Sequence, residues 1–397
     1  MELKDELMNN PAIDWRAWHD RALEGLEIRT KLLAKVREQG REQNADWILL
    51  EDGAIRDPIF ALLAASGDGS SGNLVSYTML KSSHIAEDLL QATVHTNSQG
   101  VIVFPGLGYA AGFQPNTVYE IILRSQGGSH LLPWIDQKPV AIEKFGRVQP
   151  GILLVVQLHP SLEKYCTKQF GKTFRPSCPE EAIINLDAAL AKIQAIFPDL
   201  HDLLGSCIRE VVAFQDQTLN SFAIEIVPGT IFSSLPRKPT VPFFIEDIMH
   251  QGGHAILDAA LFPIQDDLSF ERQTLISSYN ANPSDERTVY TLLHAIFTEL
   301  LISEALLRSI EFDYLNAEDQ LEAKGRVVFA LHKCCIDYQN LSLIGQLGAT
   351  STLLKAEYES RLVHALDRAK KRISGVSLEG QRYNFDLDVF CEANCRN

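Results

Sequence analysis

The chain has 397 residues, of which 46% are hydrophobic and 22% charged, with a formal net charge of −15 at pH 7. That composition supports a real buried core and argues against disorder, and the length accommodates two domains or one large domain with an appended region. The acidic balance argues against a nucleic-acid partner, because a phosphate backbone would meet repulsion over most of the surface; a peptide or small molecule met in a local cleft stays open.

The opening MELKDELMNNPAIDW has no apolar core of the kind a secretory signal needs, and no stretch approaches ~18 uninterrupted apolar residues, so neither a leader nor a membrane span is expected. Seven cysteines, an odd number, are scattered from Cys166 to Cys395. That pattern suits free thiols in a reducing compartment, and a cytoplasmic location is the expectation. Cys391 and Cys395 have no second pair at zinc-ribbon spacing and read as structural.

In chain order, apolar residues at helical intervals predict one or two helices over about Asp14 to Gln39 and a short helix over Asp57 to Ala65. The latter ends at Ser66-Gly67-Asp68-Gly69-Ser70-Ser71-Gly72, a loop by composition. Gly100 to Phe104 and Gly151 to Gln157 read as buried strands. Between them, Gly106-Leu107-Gly108-Tyr109-Ala110-Ala111-Gly112 lacks the G-x-G-x-x-G spacing of a dinucleotide loop. A turn-rich stretch around Phe174 to Pro179 marks a boundary. Beyond it, Glu180 to Phe197 and Asp199 to Phe214 read as helices joined at Pro198, and Phe222 to Val227 as a strand closed by Pro228-Gly229. After the proline-punctuated Leu235 to Pro242, helical pattern dominates to about Lys371, where Arg368, Lys370, Lys371 and Arg372 suit a helix C-terminus. The fold expected is α+β and predominantly α-helical, with a mixed α/β region over 1–179, a helical metal-binding catalytic domain over 180–375 and a tail over 376–397.

Chemistry concentrates in two segments. In His250-Gln251-Gly252-Gly253-His254, two histidines four apart on a helix share a face and can share a metal ion. The glycines between them cost the helix about 1 kcal/mol each relative to alanine, and admit a cosubstrate or a facing helix close to the backbone. In the zinc-protease pattern the residue after the first histidine is a glutamate that activates the bound water; Gln251 cannot accept that proton, which disfavours hydrolysis by that route. The second segment runs from Asp285 to Phe297. A turn and cap signal at Asn282-Pro283-Ser284-Asp285 predicts a helix starting near Glu286. Arg287 and His294 then fall on one helix face about 10 Å apart, and an arginine fork there can grip a carboxylate that chelates a metal held by His294.

Together these segments resemble the HExxH-type 2-oxoglutarate-dependent peptide β-hydroxylase family of ribosomal-peptide natural-product biosynthesis. The resemblance runs from about Asn185 to Ile310. It takes in Phe197-Pro198-Asp199-Leu200, Pro228-Gly229-Thr230, the His250–His254 motif, Ser277-Ser278-Tyr279 and the block from Asp285 to His294. It implies His250, His254 and His294 as Fe(II) ligands, Arg287 as the contact for 2-oxoglutarate, Gln251 and Tyr279 at catalytic positions, and a peptide or small-molecule substrate. Gln251 departs from the family's glutamate, and Asn280-Ala281-Asn282-Pro283 replaces a more aromatic and basic stretch. Two other readings stand beside it: a zinc-site hydrolase, to which Gln251 is adverse, and a binding protein whose pocket has lost its metal. Glu271, Glu299 and Glu304 are alternative carboxylate ligands, read first as solvated helix-face charges. His84, His130 and His159 lack ligand spacing and read as structural.

Overall fold

In a computed structural model the described residues are 15–41, 89–104, 108–126, 130–148, 152–216 and 218–394. The helix expected over 57–65, the loop after it, His84 and Cys395 lie outside them. The chain is α+β and predominantly helical, as the patterning predicts. Its first described element, α1 (Trp15–Arg41), matches the helical periodicity of that segment. The chain divides into two compact units: Leu26–Pro179 with Cys207–Arg237, and Met1–Gly25 with Glu180–Ser206 and Lys238–Asn397.

The first unit is built on strands. β1 (Leu89–His95), β2 (Ile102–Phe104), β3 (Gly108–Ala110), β4 (Val118–Gln126), β5 (His130–Ile135), β6 (Lys138–Pro139) and β7 (Glu143–Lys144) make two antiparallel sheets, ordered β1-β4-β5-β6 and β2-β3-β7. Gly108, in the glycine-rich segment, pairs with Phe104 across a hairpin register. Then come β8 (Gly146–Val148), β9 (Ile152–Leu154), α2 (Pro160–Phe170), β10 (Glu210–Phe214), β11 (Phe222–Ala223) and β12 (Thr230–Ser234). The third sheet has the order β11-β12-β10-β9-β8, with β10 parallel to both its neighbours. Every residue of β10 is buried, as a central parallel strand requires. Phe222 lies directly opposite Phe232 in the register, and the two rings stack with centroids 4.4 Å apart. Phe174 and Phe214 complete this aromatic core.

This unit corrects two expectations. The helix expected to run to Phe214 ends at Cys207, and Glu210–Phe214 is strand. The four apolar residues Val211–Phe214 carry no periodicity that separates a buried strand from a buried helix, and the two valines with Phe214 tip the segment to strand. The strand expected over Phe222 to Val227 is two residues long; the main pairing falls to β12, after a turn in which Gly229 takes φ 89°.

The second unit is helical: α3 (Glu180–Ile196), α4 (Pro198–Cys207), α5 (Val241–Leu261), α6 (Ser269–Gln273), α7 (Val289–Glu311), α8 (Ala317–Ser342), α9 (Ala349–Arg372) and α10 (Leu387–Asn394). Thr240 caps α5, accepting the Phe243 N–H at 3.2 Å, with Pro242 in the first turn, where its missing N–H costs nothing. α7 is buried along most of its length and packs against α3, α5, α8 and α9, which enclose its few charged side chains together with its apolar ones. It is long and apolar enough to cross a membrane by length and composition, yet 83% of its most apolar window is buried within the chain, as in a core helix. The C-terminal segment is more than a tail: Phe390 of α10 packs onto Gly325 of α8, where a Cβ would stand 2.5 Å from the ring.

Charges on α7 depart from expectation. Glu299 and Glu304 are buried, and so is Glu271, so none is a solvated helix-face charge. Glu304 pairs with Arg308 at 2.8 Å and with Arg368, and Glu271 accepts the Gly348 N–H at 2.8 Å. Lys370, Lys371 and Arg372 occupy the last turn of α9, but Arg368 turns inward to Glu304 and Glu311.

Candidate metal centre

The register of α5 places His250 and His254 one turn apart, with ring centroids separated by 5.2 Å. α7 brings His294 against His254, the rings near-parallel at 5.4 Å. The close approach of the two helices depends on Gly253, where a Cβ would stand 2.9 Å from both Thr298 Cγ2 and Leu301 Cδ1 of α7. Thus the glycine beside His254 admits a facing helix, one of the two roles its sequence position suggests.

The closest contact between the imidazoles is informative. His254 Nδ1 lies 3.2 Å from His294 Nδ1. Two nitrogen lone pairs aimed at each other at that distance repel, so a proton or a cation belongs between them. Two metal–nitrogen bonds of about 2.0–2.1 Å, opening at a tetrahedral or octahedral angle, would set the nitrogens roughly 2.9–3.4 Å apart. The observed separation therefore suits either an N–H···N hydrogen bond or a shared metal ion.

Electrostatics favour neutral rings. Burial lowers the His250 pKa to about 4, helped by the nearby Lys333 charge and opposed by Glu246. Burial holds His254 well below its ordinary value too, with the other two histidines adding to the shift. Neutral imidazoles are the ligand form, so neither ring has a proton to surrender before binding a metal at pH 7.

Around His294 stand residues that motif spacing did not single out. Asp258 Oδ1 lies 3.5 Å from His294 Nε2. The Tyr290 hydroxyl donates to that same Oδ1 at 3.1 Å, and Arg272 Nη2 donates to the Tyr290 oxygen at 2.9 Å. The Arg272 guanidinium also lies over the Tyr290 ring at 4.0 Å, and that ring contacts His294 at 4.5 Å between centroids. A signal existed for two of them: Asp258 is four residues after His254, and Tyr290 four before His294, so each shares a helix face with a ligand candidate.

The other expected site residues fall elsewhere. Helix α7 starts at Val289 behind a Thr288 cap, so Arg287 precedes it instead of sharing its face with His294. The cap is Thr288 because the preceding backbone is held extended, with Ile276 N–H donating to Arg287 O and Val289 N–H to Thr274 O. The Arg287 fork grips Asp285 with two bonds of 3.0 Å, and its remaining Nη1 meets Asp337 at 2.9 Å. Asp337 belongs to a buried charge group with Glu299 and Lys333, whose Nζ is 3.8 Å from Glu299 Oε1. Burial pushes the Glu299 carboxyl well above the carboxylate range, and Asp337 adds to the shift. Gln251 is buried within α5. Tyr279 ends a short 3-10 turn over Ile276–Ser278, its N–H bonded to Ile276 O; the tyrosine whose ring contacts His294 is Tyr290.

Among the described residues, no three His, Cys, Asp or Glu side chains already stand around one common metal position. The donor set present is a two-imidazole pair at ligand separation, with the third imidazole against it. No protein-family model matches the chain, and no curated protein does either.

Proposed function

We propose that the chain is an Fe(II)- and 2-oxoglutarate-dependent oxygenase that hydroxylates an unactivated C–H of a peptide or peptide-derived substrate. The supporting observation is the 3.2 Å approach of His254 and His294, which are 40 residues apart in sequence, with His250 in ring contact beside them. In this reading His250, His254 and His294 hold the iron. Iron with 2-oxoglutarate supplies the oxidising chemistry that side chains lack. The protein's own part is to keep His250 and His254 neutral, to orient the three rings, and to exclude water with the apolar walls of α5 and α7. Gln251 supplies no general base at the position after His250, which weighs against water activation by the zinc-protease route. Arg287 would take the cosubstrate carboxylate only by exchanging Asp285 or Asp337, so a carboxylate swap is part of the proposal.

That last point favours a second reading. An arginine whose donors are already held by two protein carboxylates suits a binding protein with a retired metal pocket. The test is 2-oxoglutarate turnover by the full chain with Fe(II) and dioxygen, read as succinate. Succinate formed by the wild type and lost in His254→Ala supports the oxygenase. No succinate from protein that retains zinc supports a hydrolase-like site, and no metal at all supports the binding protein.

A further inference from the structure

From the contacts around His294 we infer that Asp258, held in place by Tyr290 and Arg272, is a positioning residue that sets the tautomer of His294. A carboxylate only accepts hydrogen bonds, so the nitrogen facing it is the one that carries the proton. Asp258 faces Nε2 at 3.5 Å, and Nδ1 faces His254 at 3.2 Å. The Nε2–H tautomer follows, and it leaves the Nδ1 lone pair directed at His254. At 3.5 Å the contact is electrostatic and not a hydrogen bond, but a lone pair facing the anion there would be repelled whereas an N–H is drawn to it.

Asp258 is itself held. Tyr290 donates to the same oxygen that faces His294, and Arg272 both donates to the Tyr290 hydroxyl and covers its ring. Arg272 donates to Tyr290 and Tyr290 to Asp258, so the carboxylate that faces the His294 N–H is held from its other side by donors backed by a cation. Partners of this kind raise ligand basicity and fix ring orientation in metal sites. The role in metal binding rests on the function proposed above; the tautomer does not.

The experiment is nitrogen-15 NMR of the full-length, metal-free chain with labelled histidine, paired with Co(II) titration. Wild-type His294 is expected as the Nε2–H tautomer. Asp258→Asn, whose amide can donate to Nε2, is expected to shift His294 toward Nδ1–H and to weaken Co(II) binding by about 10–100-fold. Tyr290→Phe keeps the ring against His294, removes only the hydroxyl that holds Asp258, and is expected to shift the same signals part of the way. An Nδ1–H His294 in the wild type, or a tautomer unmoved in both variants, overturns the inference. Wild-type protein that shows the expected tautomer but binds no Co(II) supports the positioning role and removes the oxygenase reading alone.

Discussion

His159 is buried, and its Nδ1 accepts the Ser161 N–H at 3.2 Å, doing for α2 what a serine or aspartate usually does at a helix start. Burial lowers its pKa to about 3, with His95 adding to the shift. The ring is therefore neutral in the folded chain, while the unfolded chain titrates near the ordinary value of 6.5. Its contribution is fully present above pH ~6.5 and is lost as the pH falls toward 3, because there the unfolded state binds a proton that the folded state refuses. Each pH unit across that window removes up to about 1.4 kcal/mol. His159→Asn keeps a capping side chain without the titration. Urea unfolding at pH 7.5 and pH 5 should show the wild type losing on the order of 2 kcal/mol more than the variant; parallel losses would contradict this. At the same scale, sequence revealed the metal-site candidates unevenly. His250 and His254 are legible because four residues make one turn, and Asp258 lies a further turn along the same face. Arg272 and Lys333 reach the site from other elements, and no spacing along the chain announces them.

Helix packing decides whether the histidines meet, and Gly253 is the position on which the α5–α7 contact depends most visibly. A valine there places branched methyl groups where Thr298 and Leu301 already stand. Thr298 is itself branched at Cβ and stiff, so the strain passes to the helix axes. Gly253→Val is expected to cost about 1–3 kcal/mol in denaturant unfolding. It should also weaken metal binding with all three histidines intact, since His254 is the next residue; unchanged metal affinity with lowered stability would contradict the link. Elements with strong periodicity or caps were readable in advance, α3 and α5 among them. Those decided by neighbours were not. Glu299 and Glu304 look like solvated charges on a helix read alone, and become buried ones because α7 has helices on every side. The start of α7 moved from Glu286 to Val289 because a distant pairing with residues 274–276 holds Arg287 extended.

For the molecule as a whole, the turn-rich stretch ending at Pro179 falls where one unit gives way to the other. Nothing local predicts that Cys207–Arg237 returns to the strand unit, because that return is fixed by β10 pairing with β9, a partner more than fifty residues earlier. The helical unit holds all the site candidates, from His250 to Asp337. The function proposed for the chain therefore reduces to whether α5 and α7 together grip one ion. Titration of chelator-stripped full-length protein with Fe(II) under anaerobic conditions, followed by calorimetry, measures this directly. One ion per chain is expected, with affinity falling at least tenfold in His254→Ala and again in His294→Ala. Binding that survives both substitutions, or no binding by the wild type, would contradict a shared centre.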